Sequence, residues 1–380
     1  MKVALLMQDT RGMYGAEGAT VRLAKGLAAA GVEVEAWLME ETRLAGNGEE
    51  SELAAAFRGA GIKVVGLETG GRVSRGAVEA IRRAVAERGA EVVHSTGYKA
   101  DVHAAWASEG GKRFPIVSTV HGWLFRRWAW KERLYRRVNV AALRRFQRVI
   151  VLSRFYEGVL RRDGLDPLQL ARIPTGLDAG EVGEERERLW ADGRAPFTFG
   201  LLGRLSEEKD QRTALSAGEA LARATAGSPQ PWRILVAGDG PLRGKLERQA
   251  RGGWLAGRVE FAGRMDSREF FRRTHALIQC SRVENQPMSI LEAMAWGRPV
   301  LATAAGGMPE WVEDGKTGTL TRVGDAKGLA AAMRRVLVDR GEARAMGAAG
   351  REKLKREGNP VETIRGHIGG YEAVRMRREG

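Results

Sequence analysis

Cysteine is nearly missing from this chain. Cys280 is the only one among 380 residues, so no disulfide can form within it and no thiolate cluster can hold zinc or an iron–sulfur centre. A reducing compartment suits such a composition. Long apolar runs are lacking too: nothing approaches the roughly eighteen uninterrupted apolar residues of a membrane-crossing helix. The opening MKVALLMQDT reaches Gln8 and Asp9 too soon for an export signal. The expectation is a cytoplasmic protein with no spanning segment. The loop after the first apolar run lacks Gly-x-Gly-x-x-Gly spacing, and neither Glu33 nor Glu35 is a persuasive ribose anchor, which turns the reading away from an NAD-linked dehydrogenase. No internal repeat or low-complexity tract stands out.

What is present fits a folded globular protein, with 43% hydrophobic and 29% charged residues. A length of 380 residues favours two domains over one core. The net charge of +15 favours anionic partners, whether nucleotide phosphates, acidic lipid headgroups or nucleic acid, without choosing among them.

Short β-type runs alternate with amphipathic stretches at 3–7, 32–38, 63–65, 92–95, 115–120 and 149–152, and again at 198–203, 233–237, 259–262, 276–279 and 299–303. Strands separated by helical patterns imply parallel sheets. The expected fold is therefore α/β, with two Rossmann-like doubly wound domains facing a cleft. The first spans 1–180 and the second 190–358. A charged stretch from Glu181 to Arg194, with Gly183, Gly193 and Pro196, is expected to serve as the hinge. Spacing predicts helices over 326–338 and 342–356, and a C-terminal helix over about 360–380 is expected to pack back on the first domain. Open α/β sheets bind ligands beyond the carboxyl ends of their strands, which directs attention there.

The richest segment runs from Ser281 to Val300, directly after a predicted strand. Glu284 lies in its loop, Pro287 suits a helix's first turn, and the backbone amides near Met288 and Ser289 would lack intrahelical partners and favour phosphate. Glu292, one turn further on an otherwise apolar helix, is placed to accept both hydroxyls of a ribose diol. Taken in isolation, two such glutamates are ordinary solvated charges. Their surroundings argue otherwise. Glu284 and Glu292 with seven residues between them, then Gly297-Arg-Pro-Val300 and Gly306-Gly-Met-Pro-Glu310, resemble the signature of glycosyltransferase family 4. Asn285-Gln286-Pro287 stands where many members have Gly-Phe-Gly, a departure that bears on the donor sugar.

The resemblance implies a two-domain GT-B enzyme, retaining and metal-independent, in which the first glutamate contacts the donor sugar and the second holds the ribose. No cofactor is expected beyond a nucleotide sugar as co-substrate. Gly203-Arg-Leu-Ser-Glu-Glu-Lys209 resembles the element that neutralises the donor diphosphate, assigning that role to Gly203, Arg204 and Lys209; charge there stabilises the departing nucleoside diphosphate. Gly238-Asp-Gly-Pro241 resembles a family turn near the base, although a tight turn entering a helix explains it equally well. In the first half, Gly15-Ala-Glu17 resembles the Gly-Gly-x-Glu element, and His121, in Thr-Val-His-Gly, resembles a strand-end histidine beside the transferred sugar.

One stretch owes nothing to the resemblance. Residues 112–148 hold eleven Lys or Arg against one acid, Glu132, with Trp123, Phe125, Trp128, Trp130 and Tyr135 interleaved. Two readings stand side by side: an anionic membrane surface presenting a lipid-linked or lipopolysaccharide acceptor, or a solvated basic helix whose aromatics join the core. No nucleic-acid module is recognisable. The implied activity is hexosyl transfer from a nucleoside diphosphate, UDP favoured, to a glycan or lipid-linked acceptor. A sugar-nucleotide epimerase and a non-catalytic basic binder are its rivals.

Overall fold

The computed structural model describes the chain except for residues 11, 12, 14, 42–49, 70–73, 123–129, 183, 184, 192–195, 228, 229 and 380. Thirteen strands are found among the described residues: β1 (Lys2–Gln8), β2 (Glu33–Glu41), β3 (Lys63–Thr69), β4 (Val92–Thr96), β5 (Ile116–Val120), β6 (Arg148–Val151), β7 (Leu170–Arg172), β8 (Phe197–Leu202), β9 (Trp232–Ala237), β10 (Val259–Gly263), β11 (Ala276–Gln279), β12 (Val300–Thr303) and β13 (Gly318–Thr321). They form two sheets, ordered β3-β2-β1-β4-β5-β6-β7 and β10-β9-β8-β11-β12-β13. All pairings within both sheets are parallel.

Both sheets are covered on two faces, which is why their strands read as continuous apolar runs. In the first, Val3, Leu5 and Met7 join Ala36, Leu38, Val92, Val117 and Ile150 in one core, while Ala4 and Leu6 join Trp37, Met39, Val93, Ile116 and Val149 in another. In the second, Phe197, Phe199, Ile234 and Ile278 pack on one side, and Leu235, Leu277, Val300 and Ala302 on the other. The period of two assigns successive residues to opposite faces. Each sheet is thus a doubly wound, Rossmann-like layer.

The chain divides into two units, Met1–Thr175 with Pro360–Gly380, and Gly176–Asn359. The division lies before residue 180 because Ala179 and Val182 are buried in a core of the second unit. The stretch expected to be a hinge needs correction. Glu185–Ala191 is a helix of the second unit, not a linker: Glu185 takes Arg268 at 2.9 Å and Arg272 at 2.6 Å, and Trp190 packs edge-on against His275 and Phe197. Two of the charges that suggested a solvated connection, Glu185 and Glu187, are partnered within the unit. The last helix, Pro360–Glu379, inserts Ile364, Ile368, Tyr371 and Val374 into a core of the first unit, and Thr363 Oγ1 donates to the Pro174 carbonyl at 2.8 Å. Among the described residues no helix is long and apolar enough to cross a membrane.

Candidate functional site

In the second sheet the strand order reverses between β8 and β11, so the loops leaving these strands diverge and open a crevice at their carboxyl ends. The two loops there are cross-tied. The Arg282 N–H donates to the Glu208 carbonyl at 2.8 Å, and the Cys280 thiol donates to the Asp210 carbonyl at 3.0 Å. Burial, then Asp210, pushes that thiol up to about 12, so it stays protonated. On the other flank, a Cβ at Gly238 would overlap the Gly203 carbonyl oxygen, and the Leu205 N–H reaches the Asp239 carbonyl at 2.9 Å. This close approach of two turns accounts for glycine at 238, where φ is +136°, without any ligand.

Glu284 emerges from the β11 loop into this crevice. Its backbone is clamped by the Gly306-Gly307 turn: the Gly307 N–H donates to the Glu284 carbonyl at 3.0 Å, and a Cβ at Gly306 would strike that oxygen. The Gly-Gly-Met-Pro-Glu element is therefore a brace for the glutamate. Its carboxylate oxygen Oε1 accepts from Lys209 Nζ, from Ser281 Oγ at 2.8 Å and from Gln279 Nε2 at 3.1 Å. Lys209, expected at the diphosphate, is thus brought against the carboxylate expected at the sugar. Arg204 is exposed and makes no ion pair with the described residues; its own carbonyl is held by Gln211 Nε2 at 2.8 Å.

The helix Met288–Ala295 begins beside this cluster, with Pro287 as its cap residue. The Ile290 N–H turns back to the Pro287 carbonyl at 3.1 Å, leaving the N–H groups of Met288 and Ser289 without an acceptor among the described residues. Met288, Ser289 and Glu292 are half-buried while Ile290, Leu291, Ala293 and Met294 are buried, so one face of the helix is open and carries all three. Unpaired amides, a nearby cation and a carboxylate one turn in form a set that could take an anion bearing a diol. Asn285 and Gln286 are buried. Among the described residues no group of three or more His, Cys, Asp or Glu is placed to hold a metal ion.

Sequence reasoning passed over Gln279 and Ser281. Gln279 closes an apolar strand and is 4% exposed, and Ser281 is fully buried. Uncharged polar groups at the end of a buried strand need partners, and that need is the signal that could have marked them.

The first unit places its candidates differently. Gly15 opens the helix Gly15–Ala29, is exposed, and a Cβ there would meet nothing within 4 Å; two residues on, Glu17 accepts from Thr10 Oγ1 at 3.2 Å. Gly12 lies outside the described residues. His121 follows β5 and is half-buried. Burial, then neighbouring His367, draws its pKa down to about 4, so the imidazole is neutral at pH 7. Beneath it His94 Nδ1 meets the Tyr371 hydroxyl at 2.7 Å and Nε2 meets Thr119 Oγ1 at 2.8 Å, with the His367 ring stacked 5.7 Å away. Asp101, buried, accepts from Ser95 at 2.6 Å, Ser118 at 2.7 Å and Asn139 at 2.8 Å, tying two strands to the helix Trp130–Leu143. That helix carries part of the basic aromatic stretch. Tyr135 stacks on Tyr98 at 5.4 Å, whereas Trp130 is 68% exposed; Trp123, Phe125 and Trp128 lie outside the described residues.

Two family descriptions match the chain in succession, Glycosyltransferase Family 4 over residues 13–181 and Glycosyl transferases group 1 over 196–339. Among curated relatives, the lipopolysaccharide core biosynthesis glycosyltransferase LpsE of Rhizobium meliloti is 33% identical over 175 residues, 46% of this chain and 48% of that protein. The 2-deoxystreptamine glucosyltransferase of Streptomyces kanamyceticus is 30% identical over 249 residues, 64% of this chain and 60% of that one. The chain thus spans about half the length of the curated relatives it matches. Among solved structures, Anabaena HepE in complex with UDP-glucose superposes with a TM-score of 0.82 at 21% identity, covering 98% of this chain and 99% of that one. Sucrose-phosphate synthase of Thermosynechococcus elongatus gives 0.79 at 23%, covering 99% of each. The glutamate pair, the clamp that holds its first member, two switch-point sheets and these matches agree, and the chain belongs to the family 4 glycosyltransferases, built on the GT-B fold.

Proposed function

We propose that this protein transfers a hexose from a nucleoside diphosphate, UDP by preference, to a glycan or lipid-linked acceptor such as lipopolysaccharide or a glycolipid, retaining the anomeric configuration and without a bound metal. The observation that carries the reading is the contact of Lys209 with Glu284 beside the unpaired amides of Met288 and Ser289. In this reading those amides and Arg204 take the diphosphate, Glu292 the ribose, and Glu284 the sugar, with His121 positioning the transferred sugar and Gly15 among the donor-binding residues. The bond from the anomeric carbon to the diphosphate oxygen breaks, the acceptor oxygen bonds to that carbon on the same face, and the acceptor's proton passes to a phosphate oxygen. Lys209 and Arg204 stabilise the charge growing on the leaving group. UDP is favoured because the similar HepE fold is described with UDP and with UDP-glucose.

Thermal unfolding against UDP, GDP, ADP, TDP and NAD tests this. A ligand at one hundred times its dissociation constant adds about 2.7 kcal/mol, raising the midpoint by roughly 2 to 4 °C. A rise with one nucleoside diphosphate, lost in Glu292→Ala, supports the reading. A rise with NAD alone, or with none, refutes it, and an isomerised nucleotide sugar would point to the epimerase.

An anionic membrane surface is the partner favoured for the first unit, with the protein peripheral on the cytoplasmic face. The helix Trp130–Leu143 turns Trp130, Leu134 and Val138 outward one turn apart, and Leu134 is 50% exposed. Arg133 and Arg137 flank them, also exposed. Apolar and basic side chains on one helical face suit a headgroup layer. Flotation with phosphatidylglycerol vesicles but not phosphatidylcholine vesicles, weakened in Leu134→Ser, is the expected result; equal recovery with both would leave the stripe a solvated face.

A further inference from the structure

We infer that Gln279 and Ser281 are positioning residues that hold Glu284 by one carboxylate oxygen so that the other faces the donor sugar; this rests on the function proposed above. Every hydrogen bond to the Glu284 side chain among the described residues falls on Oε1: Lys209, Ser281 and Gln279 all donate to it, and Oε2 receives none. A carboxylate held in this one-sided way has a fixed plane and a fixed free lone pair. Both positioning groups are themselves fixed. Thr303 Oγ1 donates to the Ser281 carbonyl at 2.6 Å, locking it to β12. The Gln279 amide is engaged at both ends: Nε2 donates to Ser281 Oγ at 2.9 Å as well as to Glu284, and Oε1 accepts from Ser289 Oγ at 3.0 Å.

The proton bookkeeping is unambiguous. The Glu284 carboxylate accepts only, so the side-chain nitrogen of Gln279 faces it; the Ser281 proton goes to Glu284, so the serine oxygen is left to accept from Gln279; and the Ser289 proton goes to Gln279 Oε1. Two consequences follow. Ser289 addresses a phosphate through its backbone N–H and not its hydroxyl. One amide side chain, Gln279, links the start of the Met288–Ala295 helix to the carboxylate at the sugar, so the diphosphate and sugar contacts share a common rigid support. Such supports matter because misplacement of about 1 Å costs on the order of a hundredfold in rate.

The test uses the full chain. Wild-type protein is screened for release of nucleoside diphosphate from UDP-glucose, UDP-galactose and GDP-mannose, and the donor turned over is carried forward. Gln279→Met and Ser281→Ala are then expected to lower kcat about tenfold; Ser281→Ala, which leaves the Ser289 bond to Gln279 in place, should keep the Kd of the bare nucleoside diphosphate within about twofold, whereas Gln279→Met should weaken it as well. In a Glu284→Gln background neither substitution should lower kcat further, because the group they position is already gone. Gln279→Glu sets a second carboxylate against Oε1 and should give a rate that recovers as the pH falls, a response that loss of packing alone would not produce. Undiminished kcat in both Gln279→Met and Ser281→Ala, or losses that multiply with that of Glu284→Gln, would overturn the inference while leaving the transferase reading intact. No turnover of any donor by the wild type would remove that reading and this inference together. Two separate substitutions keep the test decisive should one of them lower the folded yield.

Discussion

In the first unit's strands β4 and β5, His94, Ser95 and Ser118 are buried and find neutral or buried partners: Tyr371 and Thr119 for the histidine, Asp101 for both serines. Beyond the carboxyl ends of β8 and β11 in the second unit, Glu284, Lys209, Ser289 and Glu292 are half-buried, and Lys209 meets Glu284. The two sheets share their strand order over six strands, so topology does not decide which end becomes a binding site. The difference lies in whether the polar groups are satisfied from within. A network closed on itself fixes backbone elements to one another. A network with an unused oxygen and two unused amides is prepared for something else.

The comparison can be broken most severely at the brace. Gly306→Ala forces a side chain into a left-handed residue and against the Glu284 carbonyl, and should destabilise the second unit by about 3 kcal/mol or more while abolishing nucleotide binding; calorimetry showing an unchanged midpoint would mean that the turn is not a clamp. Next is Glu284→Gln, which should lower turnover by at least about a hundredfold, roughly 2.7 kcal/mol, with the midpoint within about 2 °C of the wild type. Asp101→Ala tests the opposite character of the first unit. It removes the acceptor that Ser95, Ser118 and Asn139 share, and should cost about 1 to 3 kcal/mol in the first unit's unfolding with the nucleoside diphosphate Kd unchanged.

Acidification should give the mildest separation. Burial holds His94, His103, His121 and His367 of the first unit below their ordinary value of 6.5, two of them at about 4, whereas the second unit has His275 alone, at about 3. A depressed histidine contributes stability that is complete above the unfolded value and is lost as pH falls through the window toward the folded one. Scanning calorimetry between about pH 7 and 5, before most carboxylates titrate, should therefore find the first unit's transition falling by a few degrees more than the second's. Parallel shifts would erase the distinction.

The fold was legible where burial on both faces makes a strand almost continuously apolar, as in β1 and β11. It was not legible at β7 and β13, which are three and four residues long and lie at sheet edges. A Leu-Ala-Arg or a Gly-Thr-Leu-Thr run carries no periodicity. The segment after residue 181 misled for a related reason: Glu185 reads as solvated until the helix Ser267–Arg273 presents Arg268 and Arg272 to it. The second unit's site was legible because Glu284, Glu292 and the Gly306 turn lie close together in sequence. What remained hidden was the contact of Lys209 with Glu284, 75 residues apart, and the placement of Gln279 beneath both. In the first unit nothing local marks Asp101 as the centre of a network, since Ser95, Ser118 and Asn139 come from three different elements.

The last helix adds a temporal constraint. Tyr371 completes the hydrogen bonding of His94, and Ile364, Ile368 and Val374 fill a core whose other members all lie in the first 175 residues. As the chain leaves the ribosome, the amino-terminal unit must therefore wait for the helix Pro360–Glu379, while the second unit, continuous from Gly176 to Asn359, has all of its own core before then. The unit made first is the one finished last, and until synthesis reaches residue 374 the core that this helix completes lacks Ile364, Ile368, Tyr371 and Val374.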